Sequence, residues 1–339
     1  MSLKKVIHII PYDGTGGVET AARSMDKKFQ SGINFKIHYI YKKYPDKFTL
    51  IQKINPFTYL HCAFLIFRQK PDLLIVSLWR SCIVAILVKV FLRRTKIALF
   101  LHYPENVHVL DMILTNIMSY FSNELWADSK ATFKTRISNK INANKKIISF
   151  VTHRLTPISQ ENMNNNFIFW GRLHQQKGLN RAIDIFRKIR LISQESKFFI
   201  IGPDGGEEEK LKNFIYDLKL QDSIIFLGEM SFSEIKDFAK NASFYLQSSQ
   251  LEGMGMSVVE AMQLGLIPVV TPVGEINNYC TNQYNSILID KDDFFLEELN
   301  QLIFNQNDRL RIRNNAIESW ATKEIYSDSV YTAAINLLN

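Results

Sequence analysis

The stretch LEGMGMSVVEAM, Leu251–Met262, joins two segments of different periodicity. Before it, Ala242–Leu246 is a short apolar run of strand length, and from Val258 onward the apolar residues recur at helical spacing. Gly253 and Gly255 allow the backbone to turn sharply and to approach a ligand closely, since neither carries a Cβ atom. The stretch therefore predicts a strand, a glycine turn and a helix.

The same turn predicts an anion site between two carboxylates. The amides of Met256 to Val258 would lie at the free N-terminus of the helix, which attracts phosphate. Glu252 and Glu260 cannot share one helical face, because eight steps of about 100° overshoot two full turns by about 80°. Glu252 therefore lies before the helix and Glu260 in its first turns, where each carboxylate can accept hydrogen bonds from a sugar or ribose diol. The arrangement suits a nucleotide-sugar.

Ser257 and Glu260 permit a second interpretation of this helix start. Their spacing is that of a capping box, in which the serine caps the helix and the glutamate accepts a hydrogen bond from the serine amide. Capping boxes are common in helices that bind no ligand. From the spacing alone, a cap and a ligand site both remain open, and Glu260 could serve as both.

Strand-like and helix-like segments alternate along the chain, which favours α/β domains with parallel sheets. The segment Thr152–Asn166 is predicted to be a linker between two series of strands. The strands of the first series are predicted near Lys5–Ile10, Phe35–Tyr39, Leu73–Val76, Ile97–Leu101, Leu125–Ala127 and Ile147–Phe150. Those of the second series are predicted near Phe167–Trp170, Phe198–Ile201, Ile224–Leu227, Phe244–Leu246, Ile267–Val270 and Ser286–Ile289, followed by helices from Phe294 to Leu338.

The two series predict two Rossmann-like, doubly wound domains, residues 1–155 and 156–322, facing a cleft in which ligands meet the carboxyl ends of the strands. A final helix within residues 323–339 is predicted to pack back on the first domain.

Length and composition indicate an ordinary globular protein. The 339 residues are 46% hydrophobic, enough for two full cores. Cys62, Cys82 and Cys280 show no pairing or metal-ligand spacing, which fits a reducing compartment, so the protein is expected to be cytoplasmic. The tract Leu73–Leu92 is not predicted to span a membrane: it contains Arg80, and a charge near the middle of a spanning helix costs roughly 3 kcal/mol or more.

Charge is divided unequally between the halves. Residues 1–160 hold 24 Lys and Arg against 9 Asp and Glu, whereas residues 161–339 hold 17 against 24. The basic half carries aromatic and basic segments at Tyr39–Phe57 and Phe64–Lys70, which indicates contact with an anionic membrane or a lipid diphosphate. A solvated basic face is the alternative. Nucleic acid is not expected as a partner, since no recognisable DNA or RNA module accompanies the charge.

The loop FWGRLHQQKG, Phe169–Gly178, follows a predicted strand and precedes a predicted helix. It places Arg172 and Lys177 five positions apart. Two cations there can clamp a diphosphate and stabilise the charge that builds on a departing nucleotide. A pair of solvated surface cations is the alternative.

The segment SSQLEGMGMSVVEAMQLGLIPVVTPVGEINNY, Ser248–Tyr279, resembles the donor-binding region of retaining glycosyltransferases of the GT-B fold, in the large fourth family of these enzymes. The Gly-Arg and Lys-Gly elements around Arg172 and Lys177 resemble the same family. The resemblance implies that Glu252 holds hydroxyls of the transferred sugar and that Glu260 holds the ribose. It also implies that the diphosphate lies on the turn formed by Gly253, Met254, Gly255, Met256 and Ser257. Met254 departs from the family, which usually carries an aromatic residue there, so the shape of the sugar pocket does not transfer.

In the first half, the glycine-rich turn Asp13–Glu19 follows the first predicted strand. It is not a dinucleotide fingerprint, because Glu19 occupies the third glycine position and no acidic residue follows about 20 residues later. The resemblance implies instead that Gly16 and Gly17 lie over the donor phosphate and the acceptor. It further implies that His102, which follows the predicted strand at residues 97–101, contacts the transferred sugar.

Several polar residues have simpler structural interpretations. A lone histidine such as His102 is often structural, and Ser129 is predicted to cap a helix. Pro203–Gly206 and Thr271–Glu275 are predicted turns. The acidic run Asp290–Asp293 is predicted to cap the helix that follows it, and no metal or cofactor is predicted to be required.

The sequence therefore predicts a retaining, metal-independent glycosyltransferase at the cytoplasmic face of the inner membrane. It would move a sugar from a nucleoside diphosphate donor, with UDP or GDP expected, to a hydroxyl of a lipid-linked or lipopolysaccharide-type glycan in bacterial surface polysaccharide synthesis. Retention is implied by the resemblance alone. Two alternatives remain: a sugar-nucleotide epimerase of the same fold, and a glycan- or lipid-binding module without chemistry.

Overall fold

A computed structural model of the chain describes residues 3–14, 16–25, 32–41, 55–137, 143–159, 163–289, 291 and 293–339. The chain divides into two compact units. One consists of Met1–His153 together with Glu324–Asn339, and the other is Arg154–Lys323. Most of the predicted aromatic and basic segment Tyr39–Phe57 lies outside the described residues, as do Asp290 and Asp292.

The described part of the first unit contains a parallel sheet of six strands in the order β2-β1-β3-β4-β5-β6. Its strands are β1 (Lys4–Tyr12), β2 (Ile33–Tyr41), β3 (Leu73–Ser77), β4 (Lys96–Leu101), β5 (Glu124–Ala127) and β6 (Asn144–Ile147). The helices between them are α1 (Gly17–Ser24), α2 (Pro56–Gln69), α3 (Trp79–Phe91), α4 (Val109–Phe121) and α5 (Lys130–Arg136). Every residue of β3 is buried, as expected for a parallel strand covered on both faces.

The second unit repeats this plan with the strand order β12-β11-β10-β7-β8-β9. Its strands are β7 (Phe167–Trp170), β8 (Phe198–Ile201), β9 (Ile224–Gly228), β10 (Phe244–Gln247), β11 (Ile267–Val270) and β12 (Ile287–Leu288). Its helices are α6 (Leu179–Ile192), α7 (Glu208–Asp217), α8 (Phe232–Phe238), α9 (Met256–Leu264), α10 (Ile276–Tyr279), α11 (Phe295–Phe304) and α12 (Gln306–Ala321). Two parallel α/β sheets confirm the predicted fold class.

The last helix, α13 (Tyr326–Leu338), belongs to the first unit. The amide of Tyr326 donates to the carbonyl of Val151 at 2.7 Å, and the amide of Ser149 donates to Ser329 Oγ at 3.1 Å. The Tyr326 ring also stacks on Phe100 of β4, with 6.2 Å between ring centroids. These contacts join the end of the chain to the sheet of the first unit.

The tract Leu73–Leu92 forms β3 and α3, as the sequence predicts. Among the described residues, no helix has both the length and the apolar character needed to cross a bilayer. The three cysteines are free and buried.

The prediction for the sixth strand is wrong. The sequence predicts Ile147–Phe150, whereas β6 is Asn144–Ile147, an edge strand that pairs with β5 alone among the described strands. An edge strand is held by backbone pairing and needs few apolar side chains. The apolar residues Ile148 and Phe150 are buried beyond its end.

Candidate functional site

The turn between β10 and α9 needs glycine at position 255. Gly255 immediately precedes α9 with φ +68, and a Cβ atom there would lie 2.9 Å from Ile276 Cγ1 and from Tyr279 Oη. The carbonyl of Gly255 accepts the amides of Val258 and Val259 at 2.9 and 3.3 Å. The two preceding amides, of residues 256 and 257, have no hydrogen-bond acceptor within the described part of the chain. The start of α9 therefore offers two free donors, one fewer than the sequence predicts, because the Val258 amide donates to the carbonyl of Gly255.

Donors surround one oxygen of the Glu252 carboxylate, whose residue is only 6% exposed. Glu252 Oε1 accepts from Lys177 Nζ and Ser249 Oγ, both at 2.7 Å, and from Gln247 Nε2 at 3.0 Å. No described residue donates to the other oxygen, Oε2. The glutamate cluster (Lys177, Gln247, Ser249 and Glu252) thus orients a carboxylate that retains one unused acceptor.

Gln247 is a site residue that the sequence does not single out. Its Oε1 accepts from Tyr245 Oη at 2.7 Å and from Ser257 Oγ at 2.9 Å, while its Nε2 donates to Glu252. The side chain therefore connects the start of α9 to the carboxylate. Only its position in the sequence could have indicated a role for Gln247, since it is the polar last residue of the otherwise apolar strand FYLQ.

The capping box is wrong for α9. The helix begins at Met256 with Gly255 before it and has no side-chain cap, so Ser257 lies inside the helix. Glu260 Oε2 accepts from Trp170 Nε1 at 2.9 Å. Burial raises the pKa of Glu260 to about 7. A tertiary contact with β7, rather than the local helix start, holds this carboxyl group.

The loop after β7 brings one of its two cations to the glutamate cluster. Lys177 forms the 2.7 Å ion pair with Glu252. Backbone and side-chain hydrogen bonds hold the two loops together, since Gln176 Nε2 donates to the carbonyl of Leu251 at 2.7 Å and the amide of Gln250 donates to the carbonyl of Gln176 at 2.9 Å. Arg172 is exposed and has no hydrogen bond or ion pair with a described residue. Its guanidinium is therefore available to a ligand.

The predicted turn Thr271–Glu275 supports the same loop from the other side. Gly274 has φ +57, and a Cβ atom there would lie 2.0 Å from the carbonyl oxygen of Glu252. The amide of Glu275 donates to the carbonyl of Gly253 at 2.9 Å, and Tyr279 Oη donates to the carbonyl of Met254 at 2.9 Å. The backbone of the 252–255 turn is thus fixed by hydrogen bonds and close packing.

In the first unit, the Gly16–Gly17 turn and His102 both neighbour Phe150. A Cβ atom on Gly17 would lie 3.5 Å from the Phe150 ring, and the His102 ring centroid is 5.4 Å from that of Phe150. Glu19 is buried behind the turn, where a Cβ atom on Gly16 would lie 2.5 Å from its Oε2. Burial raises the pKa of Glu19. The structure therefore groups the predicted site residues of this unit at one end of its sheet.

His102 belongs to a histidine cluster (His8, Ser77 and His102), in which His8 and Ser77 are buried and His102 is partly buried. The Nε2 atoms of both histidines lie 2.7 Å from Ser77 Oγ, and their Nδ1 atoms are buried without a hydrogen-bond partner among the described residues. Burial lowers the pKa of His8 to about 3 and also lowers the pKa of His102. Both imidazoles are therefore neutral at pH 7.

Two other predicted structural roles are confirmed, at Ser129 and in the turn that contains Asp204. The predicted cap before α11 is wrong for Asp293, because α11 begins without a side-chain cap from a described residue and the Asp293 carboxylate pairs with Lys188. Ser129 Oγ caps α5 by accepting the amide of Thr132 at 3.1 Å. Asp204 Oδ1 accepts three amides, those of residues 206 to 208, at 2.8 to 3.1 Å, which lowers its pKa. No group of three or more His, Cys, Asp or Glu side chains with metal-binding geometry occurs in the part of the chain that the structure describes.

Comparison with known proteins identifies a protein family to which the sequence is similar. The family model described as glycosyl transferases group 1 matches residues 136–319. An uncharacterized glycosyltransferase of Methanocaldococcus jannaschii is 30% identical over 189 residues, 54% of this chain and 51% of that protein. GDP-mannose:cellobiosyl-diphosphopolyprenol alpha-mannosyltransferase of Xanthomonas campestris is 24% identical over 126 residues, 37% of this chain and 33% of that protein. The chain thus matches about half the length, or less, of these relatives.

Solved structures bear on the fold. HepE from Anabaena, crystallised in complex with UDP and glucose, has a TM-score of 0.77 and 16% sequence identity, over 98% of this chain and 99% of that one. This likeness confirms two Rossmann-like α/β domains of the GT-B class. Since the family model covers more than half of the 339 residues, this protein belongs to the family of group 1 glycosyl transferases.

Proposed function

We propose that this protein is a retaining glycosyltransferase. It moves a sugar from a nucleoside diphosphate sugar, with UDP or GDP as the nucleotide, to a hydroxyl of a lipid-linked or lipopolysaccharide-type glycan. The observation that carries the proposal is the Glu252 carboxylate, which three donors hold on one oxygen while the other stays open as an acceptor.

The surroundings of Glu252 suit a donor with a charged diphosphate and a sugar rich in hydroxyl groups. Glu252 Oε2 would accept from sugar hydroxyls, and the free amides at the start of α9 would donate to phosphate oxygens. Lys177 has three N–H donors, of which one is used by Glu252, and the Arg172 guanidinium is unpaired among the described residues. Glu260 would bind the ribose.

The chemistry needs no covalent nucleophile from the protein. The acceptor oxygen forms a bond to the anomeric carbon, the bond from that carbon to the diphosphate oxygen breaks, and the acceptor proton passes to the departing oxygen. Attack on the face that the diphosphate leaves preserves the configuration. Arg172 and Lys177 would stabilise the negative charge that develops on the diphosphate.

The choice of donor and acceptor is supported by the relatives. The Xanthomonas protein is named for a GDP-mannose donor and a diphosphopolyprenol-linked acceptor, and HepE was crystallised with UDP and glucose. An acceptor on a lipid would bring this protein to the cytoplasmic face of the inner membrane, and surface polysaccharide synthesis is the process in which we propose that it acts.

Thermal unfolding in the presence of UDP-, GDP- and dTDP-sugars tests donor binding, because a ligand of the native state raises the apparent Tm. We expect one donor class to raise it. Release of the nucleoside diphosphate should then require a glycan acceptor. Conversion of the donor sugar without an acceptor would instead identify an epimerase, and absence of any nucleotide effect would favour a binding module without chemistry.

A further inference from the structure

Helices α2 and α3 of the first unit are apolar on both of their sides. Their inner side chains pack on the sheet, as Tyr59 and Ile66 of α2 and Val88 of α3 do. On the outside, Phe57 is 75% exposed and Phe91 is 71% exposed. A helix at a water-facing surface normally carries polar residues on its outer side.

The outer side chains form a groove of about 280 Å³. Leu60, Phe64 and Phe67 of α2 and Phe91 of α3 line it, and the rings of Phe67 and Phe91 meet edge to face with 6.1 Å between centroids. We call this surface the apolar groove. Contiguous exposed apolar surface of this kind marks an interaction site in a folded protein.

Basic residues lie beside the apolar groove. Lys70, Arg93 and Arg94 line a second cavity of about 640 Å³ that shares Phe91 with the groove. The guanidinium carbon of Arg68 lies 6.0 Å from the centroid of the Phe64 ring. These four residues (Arg68, Lys70, Arg93 and Arg94), all exposed, form the basic rim.

Few acidic residues compensate the basic rim. Residues 56–104 contain seven Lys and Arg and a single acidic residue, Asp72. Asp72 is already engaged, since its carboxylate accepts the amide of Lys5 at 2.8 Å and lies 3.7 Å from Lys4 Nζ. Helix α4, which packs against α3, carries one acidic residue, Asp111, and that carboxylate is buried in an ion pair with Arg136.

We propose that the apolar groove and the basic rim form a docking surface for a bilayer that contains anionic phospholipid. The aromatic side chains enter the interfacial region, and the rim binds lipid phosphates. The inference deepens the proposed function and rests on it for the expectation that the acceptor is held in a membrane. A second copy of this chain is a poorer occupant of the groove, because two basic rims would then face each other and repel.

Vesicle sedimentation tests the surface with the full chain. Wild type should bind vesicles of phosphatidylcholine mixed with phosphatidylglycerol more tightly than vesicles of phosphatidylcholine alone, and salt should weaken the binding. Arg93→Glu with Arg94→Glu should reduce binding to the mixed vesicles by about 10-fold or more, given roughly fivefold per basic residue. Phe64→Ser with Phe91→Ser should reduce binding to both vesicle types, because it removes the inserted apolar area.

Matched controls lie in the second unit. Lys197→Glu with Lys219→Glu reverses the same number of charges at exposed positions, and Leu191→Ser removes an apolar side chain that is 79% exposed. Both controls should bind mixed vesicles like wild type.

Equal binding to the two vesicle types, or full binding by either surface variant, would overturn the proposal. So would a concentration-dependent dimer that Phe64→Ser with Phe91→Ser abolishes, because the occupant would then be a second copy. Nucleotide-sugar stabilisation, measured on the same proteins, separates the two proposals. If wild type shows no preference for the mixed vesicles but is stabilised by a nucleotide-sugar, the docking surface alone is contradicted. If wild type binds the mixed vesicles but no nucleotide-sugar stabilises it, the proposed transferase alone is contradicted.

Discussion

The glutamate cluster lies where parallel strands end, and the histidine cluster joins the middle of β1 to the ends of β3 and β4. The two clusters differ in charge and in hydrogen bonding. In the first, three donors converge on Glu252 Oε1 and leave Oε2 open. In the second, two neutral imidazoles share Ser77 Oγ, and their remaining nitrogens are buried. An oriented carboxylate with an open oxygen can bind a polar ligand, whereas a neutral cluster whose remaining nitrogens are buried supports the fold around it. The predicted contact of His102 with the sugar stays a prediction.

The largest effect is expected from Lys177→Ala. Turnover should fall by about 10²–10³, the range for losing one donor to developing negative charge. Steady-state release of the nucleoside diphosphate measures it, with an unchanged circular dichroism spectrum showing that the fold persists. Lys188→Ala removes a lysine that pairs with Asp184 and Asp293 away from the cluster, and it should leave turnover unchanged. Near-normal turnover in Lys177→Ala would contradict the role given to this cation.

Glu252→Gln should have the next largest effect. The amide oxygen can keep the three donors now on Oε1, but an NH2 group then replaces the open acceptor Oε2. Loss of a hydrogen bond to a charged group costs about 1.5–3 kcal/mol, so kcat/KM should fall about 10- to 100-fold. Glu209→Gln, at an exposed position on α7, is the matched control. Wild-type kcat/KM in Glu252→Gln would show that the sugar does not use this oxygen.

Ser77→Ala breaks the histidine cluster. It leaves two buried imidazole nitrogens without a partner, which should lower the free energy of unfolding by about 1–3 kcal/mol. Urea unfolding measures this, and stabilisation by the nucleoside diphosphate should persist. The control is Ser81→Ala, since Ser81 Oγ is buried and has no hydrogen-bond partner among the described residues, so its removal should cost little. Equal losses in the two variants would mean that the shared hydroxyl contributes nothing specific.

The smallest effect concerns Glu260, whose pKa rises from 4.5 to about 7 on burial. The folded protein holds this proton more tightly than the unfolded chain does. The protonated Glu260 carboxyl group therefore contributes its full stabilisation when the pH is below its pKa in the unfolded chain. This contribution is lost as the pH rises through its pKa in the folded protein. Glu260→Gln keeps an acceptor for Trp170 Nε1 and avoids the buried charge. It should therefore exceed wild type in free energy of unfolding near pH 8, with the difference vanishing below pH 4.5.

Unfolding without ligand at the two pH values checks the Glu260 prediction. A difference that stays constant with pH would contradict the raised pKa and would point to a packing effect of the amide.

Much of the second unit could be predicted, because buried parallel strands are short apolar runs between turns. β7, β8 and β11 begin and end where the sequence predicts. β6 could not be placed, since the edge strand NKKI is polar and its pairing with β5 leaves no mark in the hydrophobic pattern.

The glutamate cluster shows the same limit at the level of single contacts. Glu252 and Lys177 each stand out in the sequence, but their ion pair spans 75 positions. Ser257 and Glu260 have the spacing of a capping box. In the structure, however, Ser257 Oγ donates to Gln247 and the Glu260 carboxyl group accepts from Trp170. A local sequence pattern indicates which hydrogen bonds are possible. Which of them form depends on the residues that the ends of neighbouring strands bring together.

The sequence by itself determined the alternation of strands and helices, the glycine turn and the residues of donor type, because these depend on local backbone preference and periodicity. Only the tertiary structure decided which oxygen of Glu252 is free, which partner holds Glu260, and that Gln247 connects Glu252 to Ser257. Those outcomes depend on contacts between residues that lie far apart in the sequence and meet at the carboxyl ends of neighbouring parallel strands. Local spacing in the sequence does not determine such contacts.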